Sequence, residues 1–217
     1  MIERHKWAWA LTLASLTAGA IAIYIVGPDA QIPVHWNAAG QADRHDGALF
    51  GLLFIPAIQI LTLLLFSALK FIEPRYKNLE KSGKALQAII LAITAFMLLV
   101  QAMLIGQALG YQFARINLIF GGVGLMFMVM GNYFGKLRSS FFIGIRTPWT
   151  LSSETVWKKT HRLGGKLFIL AGGILLLASL LQQESQLATT MIFVVVPAAL
   201  IPTAYSWYLW RMEQADR

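Results

Sequence analysis

The stretch ALQAIILAITAFMLLVQAMLIGQA, residues 85–108, runs for 24 residues without an Asp, Glu, Lys or Arg. A helix needs about 20 such residues to cross roughly 30 Å of hydrocarbon, so this segment is long enough to span a bilayer. Working outward, five more apolar blocks run approximately through 7–26, 49–72, 113–134, 165–182 and 188–210, the fifth span of the six being short. Lipid offers the backbone no hydrogen-bond partners, which favours helices, and the alternation over about ten residues that marks barrel strands is missing. The reading is an all-α integral membrane protein with six transmembrane helices.

Composition agrees. Of 217 residues, 57% are hydrophobic and 13% charged, about half the charged share of a soluble domain. The start, MIERHKWAWALTLASLTAGA, has the basic, apolar and small-residue layout of a signal peptide. The apolar run continues without a break through IAIYIV, Ile21 to Val26, so it is read as an uncleaved first span. Of the 18 Lys and Arg residues, only Arg44 and Arg115 fall outside when the amino terminus is placed inside. That asymmetry predicts cytoplasmic N and C termini.

The net charge of +8 matches a basic inner surface meeting anionic headgroups, and membrane lipids are the first partners to expect. No basic segment is long enough for a nucleic-acid-binding domain, so no direct nucleic-acid contact is expected. The absence of cysteine excludes disulfides, thiolate metal sites and cysteine nucleophiles. The chain reads as a single membrane domain of two three-span halves, 1–112 and 113–217, without a convincing internal repeat.

Two polar segments interrupt this plan. The outer loop, 27–48, contains GPDAQIPVHWNAAGQADRHDG, whose Gly, Pro and Asn residues favour a chain folded back on itself. His35, Asp43, His45 and Asp46 are metal-ligating types, but no spacing signature accompanies them, and neither metal nor cofactor is expected. A recognition surface carrying Trp36, or a capping loop, fits equally.

The inner loop, 135–165, is stranger. Pro148 excludes a helix through GIRTPW, and Gly144 permits a sharp bend or close packing. Ser152 or Ser153 is positioned to cap a short interfacial helix running to about Leu163, closed by Gly164-Gly165 before span five. One face of that helix collects Glu154, Trp157, His161 and Gly164, and the other collects Lys158, Lys159 and Arg162. Arg146, near Thr147, Trp149 and His161, suits a carboxylate or phosphate ligand, or else anchors the inner interface with Trp149 and Trp157 in the aromatic belt. Ser152, His161 and Glu154 lack the context of a catalytic triad. Within the spans, Gln59, Gln101, Asn117 and Asn132 are expected to face other helices, and no span carries a charge near its centre.

The run GNYFGKLRSSFFIGIRTPWTLSSETVWKKTHRLGGK, with IPVHWNAAGQAD and LFGLLFIP before it, resembles the SdpI family of bacterial membrane proteins and the domain of unknown function that commonly precedes it. The motif positions are Asn132, Gly144, Arg146, Thr147, Pro148, Trp149, Thr150, Trp157, His161 and Gly165, with Pro33, His35, Asn37, Gly40 and Asp43 outside. The pattern departs from the family at Ser139 and Ser140, where relatives often carry Asn. The resemblance implies a six-helix inner-membrane protein, not an enzyme, that gives immunity to a secreted cannibalism-type peptide and holds a small cytoplasmic repressor at the membrane. It implies binding roles for Arg146, Thr147, Pro148, Trp149, Trp157, His161, Asn132, His35, Asn37 and Asp43. A solute or lipid transporter is the alternative class, and a membrane enzyme using His161 or His35 a third.

Overall fold

A computed structural model of the chain describes residues 5–111 and 116–215. Arg4, Arg115 and Arg217, and the expected start of span four at 113–115, lie outside the described residues. Six helices long and apolar enough to cross a membrane are present among them. They are α1 (Lys6–Val26), α2 (Ala48–Ile72), α4 (Gly83–Ala108), α5 (Ile116–Phe134), α7 (Glu154–Leu181) and α8 (Glu184–Ala215). Two short helices, α3 (Tyr76–Lys81) and α6 (Pro148–Ser152), lie in the inner connections. The outer loop forms an antiparallel hairpin of β1 (Gln31–Trp36) and β2 (Ala42–Gly47), an element not anticipated in an all-α chain.

The helices pack as two clusters. α1, α2 and α4 pack on one another beneath the hairpin, α5, α7 and α8 pack together, and α4 meets α5 between them. Polar residues tie the first cluster. Pro56 in α2 lacks an amide hydrogen, so the Leu52 carbonyl loses its helical partner. Gln101 Nε2 from α4 donates to that carbonyl at 2.9 Å, and Gln59 Nε2 donates to the Thr94 carbonyl at 3.1 Å. In the second cluster Asn117 of α5 donates to the Ser179 carbonyl of α7 at 3.0 Å. Asn132 departs from expectation: it lies on the exposed side of α5, because Gly131 and Phe134 occupy the side turned to α7.

The second cluster rests on a close helix crossing. A Cβ on Gly131 would lie 2.5 Å from the Gly165 carbonyl oxygen, and one on Gly165 would lie 2.5 Å from that of Gly131. This contact corrects the expected end of a helix at Gly164-Gly165. One helix of 28 residues runs through both glycines, and the short helix between spans four and five is Pro148–Ser152 instead. Each glycine costs about 1 kcal/mol of helix propensity, but only glycine lets the two backbones touch. At 1.5 Å per residue α7 is about 42 Å long, so its first turns project beyond the ~30 Å hydrocarbon layer.

Candidate functional site

The inner turn between α5 and α7 gathers most of the motif residues. Ser153 caps α7, accepting the Val156 amide at 3.3 Å, and Glu154 opens the first turn. Three turns of that helix bury Val156, Trp157, Thr160, His161 and Gly164, and leave Lys158, Lys159 and Arg162 exposed. The face expected to pack therefore does so, except that Glu154 is exposed. Trp157 is fully buried, correcting its assignment to the aromatic belt. Its indole Nε1 donates to the Leu137 carbonyl at 2.9 Å, which pulls the ring inward among Ala85, Leu86, Ile89 and Phe134.

His161 stacks on Trp157 with ring centroids 4.0 Å apart. The Ile145 amide donates to its Nε2 at 2.9 Å, and its Nδ1 lies 2.9 Å from the Trp157 carbonyl. Two fixed partners of opposite kind define the tautomer: Nε2 accepts and Nδ1 carries the hydrogen. His161 therefore holds the GIR segment to α7. Gly144 has φ +111, and a Cβ there would lie 2.5 Å from His161 Nε2 and 3.0 Å from the Trp157 ring. Only glycine meets both conditions.

Thr147 and Pro148 start α6. Thr147 Oγ1 accepts the Thr150 amide at 3.1 Å, and Thr150 Oγ1 accepts the Thr147 amide at 2.9 Å, a reciprocal cap with Pro148 in the first turn where no amide hydrogen is needed. Thr147 Oγ1 also lies 3.0 Å from Ser206 Oγ of α8. Arg146 stays exposed and donates from Nη1 to the Phe141 carbonyl at 2.9 Å. It is not joined to His161, whose ring nitrogens serve the backbone. Trp149 is half-buried, and Asn132 stands on the exposed side of α5, apart from the turn.

A residue missed in the sequence holds the turn from the opposite side. Glu73, at the end of α2 and 4% exposed, accepts from Ser140 Oγ at 2.6 Å and from the amides of Phe141 and Phe142 at 3.0 and 3.3 Å through Oε2. Its Oε1 accepts the Arg75 amide at 2.9 Å. Arg75 reaches Ser139 Oγ and the Leu151 carbonyl and lies over the Phe141 ring. Glu73 and Glu80 both stand within the run of cations from Lys70 to Lys84, and nothing local in the sequence distinguishes Glu73 as the residue that reaches the turn. Ser139 and Ser140 are the serines this clasp uses. Glu73→Gln keeps the volume but points an amide hydrogen at donors. A hydrogen bond to a charged group is worth about 1.5–3 kcal/mol, so trypsin cleavage after Arg138 and Arg146 is expected to accelerate at least about tenfold. Unchanged cleavage would show that the clasp does not order the turn.

On the outer side, Ile32 of β1 is buried against Gly51, seating the hairpin on α2. His35 Nδ1 lies 2.6 Å from Asp43 Oδ1 across the strands. Asn37 Oδ1 accepts the amides of Ala39 and Gln41 at 2.9 and 3.0 Å, and Gly40 takes φ +80 in the turn. The four motif residues thus close one hairpin. Among the described residues no three His, Asp or Glu side chains converge on a metal-sized site. Beside the hairpin opens a cleft of 180 Å³, with Trp36, Arg44, Phe50 and Phe54 among its walls.

Residues 136–206 match the model of the SdpI/YfhL protein family, and residues 11–60 match that of Domain of unknown function (DUF1648). The chain is 31% identical over 199 residues to Immunity protein SdpI of Bacillus subtilis (strain 168), covering 91% of this chain and 92% of that protein. The chain belongs to the SdpI/YfhL protein family. It is accordingly a multi-pass protein of the bacterial inner membrane. No solved structure matches it. The SdpI/YfhL match covers the inner turn, α6, all of α7 and much of α8, so the Gly144, Thr147, Trp157 and His161 contacts lie within the family's own segment.

Proposed function

We propose that this SdpI-family protein is a non-enzymatic immunity protein that protects its cell from a secreted amphipathic antimicrobial peptide. The observation that carries the reading is whole-chain similarity to a protein named for immunity. The outer cleft supports it, since aromatic walls with one cation suit an amphipathic chain that carries a carboxylate. On the cytoplasmic side, exposed Arg146 and the basic face of Lys158, Lys159 and Arg162 suit a small repressor with an acidic surface.

The test measures membrane potential with a retained dye in susceptible bacteria challenged with a cannibalism-type peptide. Cells expressing the wild type keep their potential, and empty-vector cells lose it. Trp36→Ala, with membrane expression verified, abolishes protection. Arg146→Ala preserves protection and releases the repressor from the membrane fraction. Collapse of the potential in well-expressing wild-type cells removes immunity to that peptide and brings solute transport forward.

A further inference from the structure

α4 packs against both α1 and α5, and the cleft between those neighbours changes character along its length. At the cytoplasmic end it opens to 410 Å³ and is lined by Trp7 of α1, Lys84, Gln87 and Leu91 of α4, and Tyr133 of α5. Deeper in the membrane a second cavity of 200 Å³ continues between Ala92, Ala95 and Leu99 of α4 and Leu125 and Val129 of α5. Every residue lining that second cavity is apolar.

Two further cations lie over aromatic rings that line the upper cavity. Lys136 Nζ lies 4.4 Å from the centroid of the Tyr133 ring, and Lys6 Nζ lies 5.7 Å from that of Trp7. Among the described residues no Asp or Glu lines either cavity. The cleft is therefore cationic and aromatic at headgroup depth and apolar below. From Lys84 to Leu99 the helix rises about 22 Å, enough for a headgroup layer plus the ~15 Å of hydrocarbon in one leaflet.

We propose that this cleft binds a phospholipid with an anionic headgroup from the cytoplasmic leaflet. The phosphate and its anionic substituent sit among Lys84, Lys136 and Lys6, and one acyl chain lies along Ala92 and Ala95. An apolar helix from a second copy would fill the lower part and leave the three ammonium groups without counter-charge. A zwitterionic lipid brings no net charge to them. The charge pattern thus selects an anionic lipid over either.

The experiment is native mass spectrometry of the full chain released from bilayers holding equal amounts of phosphatidylglycerol and phosphatidylcholine. A lysine near the surface contributes about a fivefold preference for anionic lipid, so three predict retention of phosphatidylglycerol over phosphatidylcholine by about 125-fold. Lys6→Gln combined with Lys84→Gln and Lys136→Gln brings that ratio near unity, and Lys77→Gln combined with Lys81→Gln, outside the cleft, leaves it unchanged. Ala95→Trp, which fills the apolar part, lowers retention of both lipids. Equal retention of the two lipids by the wild type overturns the proposal. So does displacement of the retained lipid by excess inorganic phosphate, or a second copy of the chain held in its place.

Discussion

Trp157→Ala is expected to lower the stability of the protein by about 3–5 kcal/mol, the range for deleting a large buried aromatic. The ring is fully buried in the core of α4, α5 and α7, so its loss leaves a cavity that neighbouring helices fill only by moving. Two further losses fall in the same direction. The Leu137 carbonyl is left without the indole donor, and His161 loses the ring it stacks on. Because His161 holds the Ile145 amide, loosening its ring also loosens the GIR segment. Trp157→Phe keeps most of the apolar contact and removes the donor, so it should cost about 1–3 kcal/mol. Denaturant unfolding in detergent, followed by tryptophan fluorescence, measures both. If the two variants were equally mild, the indole would not be holding the turn to the helix bundle.

The second large effect concerns a residue with no side chain at all. Gly131→Val places Cβ 2.5 Å from the Gly165 carbonyl oxygen and 2.9 Å from the Ile169 amide nitrogen. Both are backbone atoms inside a helix, so no rotamer change relieves them. α5 and α7 must separate, and overpacking of this kind costs typically 1–3 kcal/mol and more where backbone has to shift. Replacing a helical glycine returns at most about 1 kcal/mol of propensity, so the clash wins and a net loss of about 2–3 kcal/mol is expected. Gly173→Ala provides the contrast: nothing lies within 4 Å of a Cβ there. That variant should be neutral or stabilised by up to about 1 kcal/mol. A stable Gly131→Val protein alongside a damaged Gly173→Ala one would reverse the assigned packing faces.

These variants separate two kinds of motif residue. Gly144, Thr147, Thr150, Trp157 and His161 are committed to one another and to the backbone, and the same holds for His35, Asn37, Gly40 and Asp43 in the outer hairpin. Arg146, Trp36 and the lysines of α7 are reachable from outside. Loss of function at the buried members of the first set is expected to follow from loss of shape, whereas loss at the second with the fold intact reports on a ligand. This is why Trp36 and Arg146 carry the functional test.

Span number, approximate span limits and the break at Pro148 were legible in the sequence, because each depends on local chemistry. Twenty apolar residues must leave water wherever they occur, and a proline lacks its amide hydrogen in any context. The cap at Ser153 and the apolar side of the following turns belong to the same class, being set by residues within a few positions of each other. Pairings across long chain separations were not legible. Glu73 meets Ser140 across 67 residues, and Gln101 meets the Leu52 carbonyl across 49. Gly164 and Gly165 look like a helix stop when taken alone, and become a packing surface only once Gly131 faces Gly165. Asn132 looks like an interhelical polar group until Gly131 and Phe134 take the side turned to α7. Local residue types decided which segments enter the membrane and where the chain turns. The tertiary structure decided which polar groups satisfy one another and which remain open to a ligand, because those depend on distances between segments that no local pattern contains.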